Sequence, residues 1–185
     1  MEGKAFLVRF TTDWTCGLLW NKLYKRALFD GIFFEEGHKI DDEYFTYQGV
    51  MNAAKVVCDP RVVYNYRQRA SSVMQSPAAR AQIAIDRIDF MAKRREKVLE
   101  RFPELRREFD ISFVDAISYL ADYPDNTEES IRLLKYYARR YFLQRGNTFP
   151  PRYLLKAVFL MYVTSTEKLL KRPQAKKPSP EDYYA

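Results

Sequence analysis

Acidic residues and the only histidine of this chain are concentrated in the stretch EEGHKIDDEYFTYQ, residues 35 to 48. Asp41, Asp42 and Glu43 stand where a helix over about 42–54 is predicted to begin, since apolar residues recur after them at helical spacing. Carboxylates at this position satisfy free backbone N–H groups and the positive end of the helix dipole. The same environment keeps a carboxylate ionised, as a general base must be. The spacing therefore fits both a helix entrance and a catalytic acid cluster, and it does not choose between them.

Other kinds of chemistry have little support in the sequence. One histidine, His38, cannot supply a histidine-rich metal site, and no motif pairs it with Cys16 or Cys58 as a thiol dyad. The two cysteines have no metal-ligand spacing, so we interpret them as small buried residues. Neither GxGxxG nor GxxxxGK[ST] occurs, which excludes phosphate-binding loops of those kinds.

Cationic residues form several groups along the chain. In YNYRQRASSVM, residues 64 to 74, Arg67 and Arg69 share one face of a predicted strand and lead into Ser71 and Ser72. Guanidinium groups beside hydroxyls suit phosphate oxygens, but a solvated strand face explains the pattern equally well. The runs KRREK (93–97) and RR (106–107) are interpreted as solvated helix faces. In KYYARRYFLQR (135–145) the aromatic residues recur at helical spacing, which favours core packing over nucleic-acid contact.

Length and composition set the broad class. The chain has 185 residues, 47% of them hydrophobic and 16% aromatic, which suits one domain or a small domain with an appendage. No apolar run reaches the roughly 18 residues needed to span a bilayer, and the N-terminus lacks the pattern of a signal peptide. We therefore predict a cytoplasmic protein. The net charge of +7 permits an anionic partner, either nucleic acid, acidic lipid or a phosphorylated substrate.

Two regions with different patterns must position these residues. Residues 1–76 are mixed: helices are predicted over 18–29 and 42–54, and the runs 55–58 and 62–69 predict a short β-hairpin. Residues 77–172 are predicted to be helical, with segments that end before Pro103, cover 111–122, follow a Thr127–Ser130 cap, and run from 151 to about 170. The tail 173–185 is rich in Lys and Pro and is predicted to be disordered. The predicted fold class is α+β, predominantly helical.

Four sequence elements between residues 20 and 76 occur in a recognisable order. They are Trp20, Lys22, Leu23 and Tyr24; then Phe34 and Gly37; then Asp41, Asp42 and Glu43 with Phe45; and finally Tyr64, Tyr66, Arg67, Arg69 and Ser72. In this order and spacing they resemble the C-terminal half of bacterial family-two glycosyltransferases. These are inverting enzymes of the GT-A fold that use nucleotide sugars to build capsule, exopolysaccharide and lipopolysaccharide. The helical remainder, 77–172, looks like the C-terminal extension that many of these enzymes carry.

The resemblance implies roles for individual residues. Asp42 matches the general base that deprotonates the acceptor hydroxyl, and Asp41 stands where the family usually has Glu. Trp20 and Lys22 match the acceptor-side wall, while Arg67 or Arg69 would face the sugar diphosphate. The resemblance thus implies substrate contacts for Trp20, Lys22, Tyr24, Tyr66, Arg67, Arg69 and Ser72. By the same comparison, Glu35, Glu36 and His38 are loop residues without a catalytic role.

One family feature has no counterpart in this sequence. The family's N-terminal half carries an Asp-x-Asp that holds Mg²⁺ or Mn²⁺ on the nucleotide diphosphate, and this chain has none. The resemblance therefore implies a fragment that is inactive alone, with the metal, the nucleotide-sugar donor and the glycan acceptor belonging to the full enzyme. The basic charge adds a predicted peripheral contact with an anionic membrane surface.

Two other functions fit the sequence. The region 80–145, rich in Arg, Lys and Tyr, fits a basic helical binding module for nucleic acid or a protein partner, although nucleic acid is disfavoured. A non-catalytic scaffold, in which the transferase-like segment is only structural, is the third possibility.

Overall fold

Helices form most of the structure that surrounds Asp42. The computed structural model describes residues 1–62, 64–67, 69, 76–121, 126–142 and 151–158. The α-helices of this part are α1 (Gly3–Arg9), α2 (Asp41–Met51), α3 (Pro77–Arg101), α4 (Arg106–Ala121), α5 (Glu128–Phe142) and α6 (Pro151–Val158). Short 3₁₀ turns cover Trp14–Gly17, Arg26–Phe29 and Pro103–Leu105. The predominantly helical class is confirmed. None of the described helices is long and apolar enough to cross a membrane.

The long helix α3 is the central element, and its start follows from local sequence. The hydroxyl of Ser76 accepts a hydrogen bond from the N–H of Ala79 at 3.2 Å, and Pro77 occupies the first turn, where its missing N–H costs nothing. α3 packs against α2, α4 and α5. Because neighbours cover it from several directions, its buried residues lie on more than one face: Ile83, Ala84, Ile88, Phe90, Ala92, Val98 and Leu99.

The first hydrophobic cluster joins the N-terminal region to α3. Helix α1, which the sequence did not predict, buries Phe6 and Leu7 against α2, where Tyr44 and Tyr47 are 1% and 2% exposed. The same cluster includes α3 and α4 residues as far along the chain as Phe109. One continuous core therefore crosses the predicted boundary between residues 76 and 77.

The second cluster lies between α3, α4 and α5. It contains Ile88, Phe113, Ile117, Ile131, Leu134 and Tyr141, with Phe142 at its edge. The cap predicted at the start of α5 is confirmed: the N–H of Ser130 donates to Thr127 Oγ1 at 3.2 Å, and the N–H of Thr127 donates to Ser130 Oγ at 2.9 Å. The aromatic spacing of 135–145 accordingly reflects core packing at Tyr141 and Phe142.

The helix predicted over 18–29 is wrong. Only Arg26–Phe29 forms a 3₁₀ turn, and Leu23, which lies at helical spacing from Leu19 in this range, is fully exposed. A short helix gains most of its stability from burying an apolar face, and Leu23 meets no surface to bury against. Instead, Lys22 Nζ donates to the carbonyl oxygens of Thr15 and Leu18 at 3.0 and 2.5 Å, which satisfies the end of the preceding 3₁₀ turn.

The predicted β-hairpin is not observed in the described residues. Positions 62, 64–67 and 69 form no strand, and the run 55–58 pairs elsewhere. Lys55 forms an isolated antiparallel bridge with Glu2, and the N–H of Val56 donates to the Met1 carbonyl at 2.8 Å. The run 55–58 therefore pairs with the N-terminus, and the described residues of 62–69 do not pair with it.

The basic run 93–97 is not the solvated helix face that the sequence predicted. Arg94 and Arg95 are buried, although the sequence predicted a solvated face. Arg95 donates to Asp110 Oδ1 from Nε at 2.8 Å and from Nη2 at 2.5 Å, and the Arg94 guanidinium lies over the ring of Phe90 at 4.8 Å. Cys16 is buried as expected, whereas Cys58 is exposed. The tail 173–185 and the continuation of the last helix past Val158 lie outside the described residues.

Candidate functional site

The predicted base, Asp42, lies at the N-terminus of α2. Its Oδ1 accepts the N–H of Glu43 at 3.0 Å, and the N–H of Leu19 also donates to its carboxylate. Burial raises the pKa of Asp42 and the charge of Asp41 adds to this, while the backbone N–H groups act in the opposite direction. The helix terminus was expected to favour the ionised form; it does so, but burial outweighs it. A carboxylate with a raised pKa is a stronger proton acceptor than an ordinary one.

Asp41 has a different position from its neighbour. Its side chain is exposed, and its Oδ1 accepts the N–H of Asp42 at 3.0 Å. This contact satisfies a free donor at the start of α2, so Asp41 fits the helix-entrance interpretation. The two acids of the pair are therefore not equivalent.

Lys22 lies within electrostatic reach of Asp42. Its Nζ also donates to Asn21 Oδ1 at 2.6 Å, which with Thr15 and Leu18 gives three acceptors. Burial lowers the pKa of Lys22 to about 8, and the charge of Asp42 is among the groups that oppose this shift. The extended segment found in place of the predicted helix thus brings a lysine amine within electrostatic reach of the predicted base.

Tyr24 also lies within electrostatic reach of Asp42. Burial raises the pKa of its hydroxyl to about 12, and the charge of Asp42 contributes in the same direction. The hydroxyl of Thr46, on the buried face of α2, lies near it and acts on the pKa in the opposite direction, although neither buried oxygen has a hydrogen-bond partner of good geometry. The ring packs edge-on against Phe29 with 5.1 Å between centroids. The Phe29 ring therefore holds Tyr24 within electrostatic reach of Asp42.

Trp20 belongs to an exposed aromatic stack next to Asp42. Its ring centroid lies 5.0 Å from that of Tyr66, nearly parallel, and 4.4 Å from that of Tyr64. The three side chains remain 38%, 44% and 49% exposed for Trp20, Tyr66 and Tyr64. Trp20 directly follows Leu19, whose N–H binds Asp42. An aromatic surface that stays open to solvent therefore begins one residue from the contact with the base.

The remaining predicted substrate residues are less constrained by the structure. Arg67 and Arg69 are exposed on the segment that carries Tyr66. Ser72 lies outside the described residues. The structure thus brings Asp42, Lys22 and Tyr24 together, and it joins Trp20 to Tyr66, while Arg67 and Arg69 follow that stack along the chain.

The sequence did not predict the buried charged side chains that lie close to Asp42. The Glu43 carboxyl is buried, and burial raises its pKa against the opposing charges of Arg87 and Arg94. Arg94 also donates to the Phe10 carbonyl at 3.3 Å, so a buried cation holds α1, α2 and α3 together below the site. The sequence showed only that an arginine lies within the helical run 93–97. Periodicity alone did not indicate whether its side chain faces the core or the solvent.

The loop before α2 is attached to α3 by an unpredicted acid. Asp86, 1% exposed, accepts from the Lys39 N–H at 2.6 Å, and its Oδ1 lies 3.1 Å from His38 Nδ1. Glu35 binds Lys93 Nζ at 2.7 Å. His38 and Glu35 therefore position the loop that leads into Asp42, which gives these loop residues a structural role.

Metal binding and nucleophilic chemistry set requirements for the acidic side chains and the cysteines. Among the residues that the structure describes, no group of three or more His, Cys, Asp or Glu side chains is arranged to hold a metal ion. Burial raises the pKa of the Cys16 thiol to about 11, which makes it a poor nucleophile.

Comparison with known proteins gives no further assignment. No protein-family model, no curated protein and no solved structure matches this chain. The glycosyltransferase resemblance therefore depends only on the sequence elements between residues 20 and 76.

Proposed function

We propose that this chain contains the acceptor side of an inverting, nucleotide-sugar-dependent glycosyltransferase of bacterial surface polysaccharide synthesis. The observation that supports the proposal is the hydrogen bond from Leu19 to Asp42, a half-buried carboxylate of raised pKa, because Leu19 directly precedes Trp20 of the open aromatic stack. One group is suited to accept a proton, and the other offers flat apolar faces on which a sugar ring can lie.

The chemistry is a single displacement. Asp42 accepts the proton of an acceptor hydroxyl while the oxygen of that hydroxyl forms a bond to the anomeric carbon. The bond from that carbon to the nucleoside diphosphate breaks on the opposite side, and the configuration inverts. Arg67 and Arg69 are the cations of this segment that suit the diphosphate charge. Mg²⁺ or Mn²⁺ in the donor half of the full enzyme would neutralise the same charge.

The proposal also assigns parts of the fold. Residues 1–76 correspond to the acceptor-side part of a GT-A domain, and residues 77–172 to a helical extension. With the donor half lacking, we expect no tight nucleotide-sugar binding by this chain. Micromolar, metal-dependent binding of a UDP-sugar, measured by titration calorimetry, would contradict that expectation.

The chain's two tryptophans provide a direct test of the aromatic stack. In a Trp14→Phe protein the emission reports Trp20 alone, and in a Trp20→Phe protein it reports Trp14, which is also exposed. Titration with a panel of hexose and N-acetylhexosamine oligosaccharides should change the emission of Trp20 and leave that of Trp14 unchanged. If Trp20 responds to no saccharide of the panel, or both tryptophans respond alike, the acceptor-side assignment fails.

The role of Asp42 is tested in the full enzyme. Asp42→Asn keeps the size of the side chain and removes the proton acceptor, so turnover should fall by at least about a hundredfold, the usual contribution of a general base. The saccharide response of Trp20 should remain. Unchanged turnover in this variant would remove Asp42 from the mechanism.

A further inference from the structure

The side-chain amine of Lys22 lies at the centre of a turn that it closes. Its Nζ donates to the carbonyl oxygens of Thr15 at 3.0 Å and Leu18 at 2.5 Å, and to Asn21 Oδ1 at 2.6 Å. A lysine ammonium has three hydrogens to donate and no acceptor, so its hydrogens and these oxygens match in number. A contact between Lys22 and a substrate would therefore require one of the three hydrogen bonds to break.

The turn closed by Lys22 carries both parts of the proposed acceptor site, since Leu19 and Trp20 lie within it. The N–H of Leu19 donates to the Asp42 carboxylate. The Trp20 ring lies nearly parallel to that of Tyr66, with 5.0 Å between centroids. Because the Cα atoms of consecutive residues are only about 3.8 Å apart, a displacement of the turn would move the contact with the base and the aromatic ring together.

The opposite end of this turn is held without the amine. Asp13 Oδ1 accepts the N–H of Thr15 at 3.0 Å and its hydroxyl at 2.6 Å. Gly17 is buried against α2, where an added Cβ would lie only 3.2 Å from Glu43 Cγ. This end is therefore anchored independently, and the amine is the group that joins residues 18–22 to it.

We propose that Lys22 is a positioning residue of the acceptor side, which holds Leu19 and Trp20 in place only while its amine carries a proton. A neutral amine has two hydrogens and one lone pair, so one of the three oxygens would then face a lone pair instead of a donor. An acceptor that loses its donor in a buried place is unfavourable, so that oxygen moves away and the turn loosens. What the turn presents to a ligand rests on the proposed glycosyltransferase function, whereas the control of the turn by Lys22 does not.

The surroundings of Lys22 bring this loss of a proton close to neutral pH. Burial lowers the pKa of Lys22 to about 8, and the groups that oppose this shift by their charge are Cys16, Asp13, Asp42 and Cys58. Cys16 stays neutral in this range, because burial raises the pKa of its thiol to about 11. The thiol of Cys58 is exposed, so the test removes it.

The emission of Trp20 as a function of pH tests the proposal without any saccharide. The parent protein is Trp14→Phe with Cys58→Ser, in which Trp20 is the only tryptophan, and its emission is followed from neutral to alkaline pH. We expect one step with a midpoint near pH 8, toward longer wavelength as the loosened turn exposes the ring to water. Lys22→Arg in this background should show no step, because a guanidinium keeps its proton over this range. The tyrosines beside Trp20 are present in both proteins, so their contribution is the same.

Two further variants complete the comparison. Lys22→Met lacks the amine, so its emission should stay at the long-wavelength value, whereas Lys25→Met, at an exposed lysine of the same segment, should keep the step. Circular dichroism establishes that each variant folds. The proposal is refuted if the parent protein shows no step, if Lys22→Arg shows the same step, or if Lys25→Met abolishes it. An absent step leaves the proposed function intact, and a failed saccharide titration leaves the control by Lys22 intact, so the two failures are distinguishable.

Discussion

The buried ion pair between Arg95 on α3 and Asp110 on α4 allows a quantitative test of the fold. The two side chains are 4% and 0% exposed, and Arg95 reaches Asp110 Oδ1 from two nitrogens at 2.8 and 2.5 Å. The Tyr141 ring lies 4.7 Å from the guanidinium carbon. Asp110→Leu removes the carboxylate and introduces a better helix former, so the change in helix propensity does not itself destabilise α4.

The expected cost follows from the desolvated guanidinium that remains. Removing one partner of a buried pair costs about 3–5 kcal/mol, because the other charge stays uncompensated. The urea dependence of unfolding is about 2 kcal/mol per molar for a domain of this kind, so the midpoint should fall by roughly 2 M. Replacing both partners, as Arg95→Met with Asp110→Leu, removes the stranded charge and should recover most of that loss.

Urea unfolding of the wild type, both single variants and the double variant completes a thermodynamic cycle. Lys4→Met provides the control, since Lys4 and Glu104 pair at 3.0 Å on the surface, and its midpoint should stay near that of the wild type. If Asp110→Leu leaves the midpoint unchanged, or if the double variant is as unstable as Asp110→Leu, the reasoning about the buried charge is incorrect.

Two further predictions concern the surroundings of Asp42. Burial lowers the pKa of Lys22 from 10.5 to about 8, so between pH 8 and 10.5 the unfolded chain binds more protons at this group and the free energy of unfolding should rise with pH. That rise should be smaller in Lys22→Met, and urea titrations at several pH values with identical slopes for both proteins would contradict the shift. Gly49→Ala should destabilise the chain by about 1–3 kcal/mol although alanine favours helices, because the new Cβ would overlap the Phe29 ring. In a Phe29→Leu background the same substitution should cost less, and an equal cost in thermal unfolding of both backgrounds would exclude this overlap as the cause.

Features that depend on a few neighbouring residues could be predicted. The recurrence of Tyr44, Tyr47 and Met51 identified α2, and Thr127 with Ser130 marked the start of α5. The place of Asp42 at a helix N-terminus followed from the same pattern. These signals lie within one or two helical turns, where backbone hydrogen bonds and caps act.

Features that depend on distant residues could not be predicted. Leu23 fits a helical stripe, yet no surface faces it, whereas Arg94 belongs to a charged run and is buried among α1, α2 and α3. Asp86 holds the loop before α2. It accepts a hydrogen bond from the N–H of Lys39, which is 47 residues away along the chain. Nothing in the local sequence specifies such pairs.

The sequence alone thus determined the helical class, the position of Asp42 and the order of the aromatic and basic residues around it. The tertiary structure decided which charges lose contact with water. It buried Arg95 with Asp110, raised the pKa of Asp42, lowered that of Lys22, and left Trp20 and Tyr66 open to solvent. The physical reason is that caps and helical periodicity are local interactions, whereas desolvation depends on every element that packs around a group.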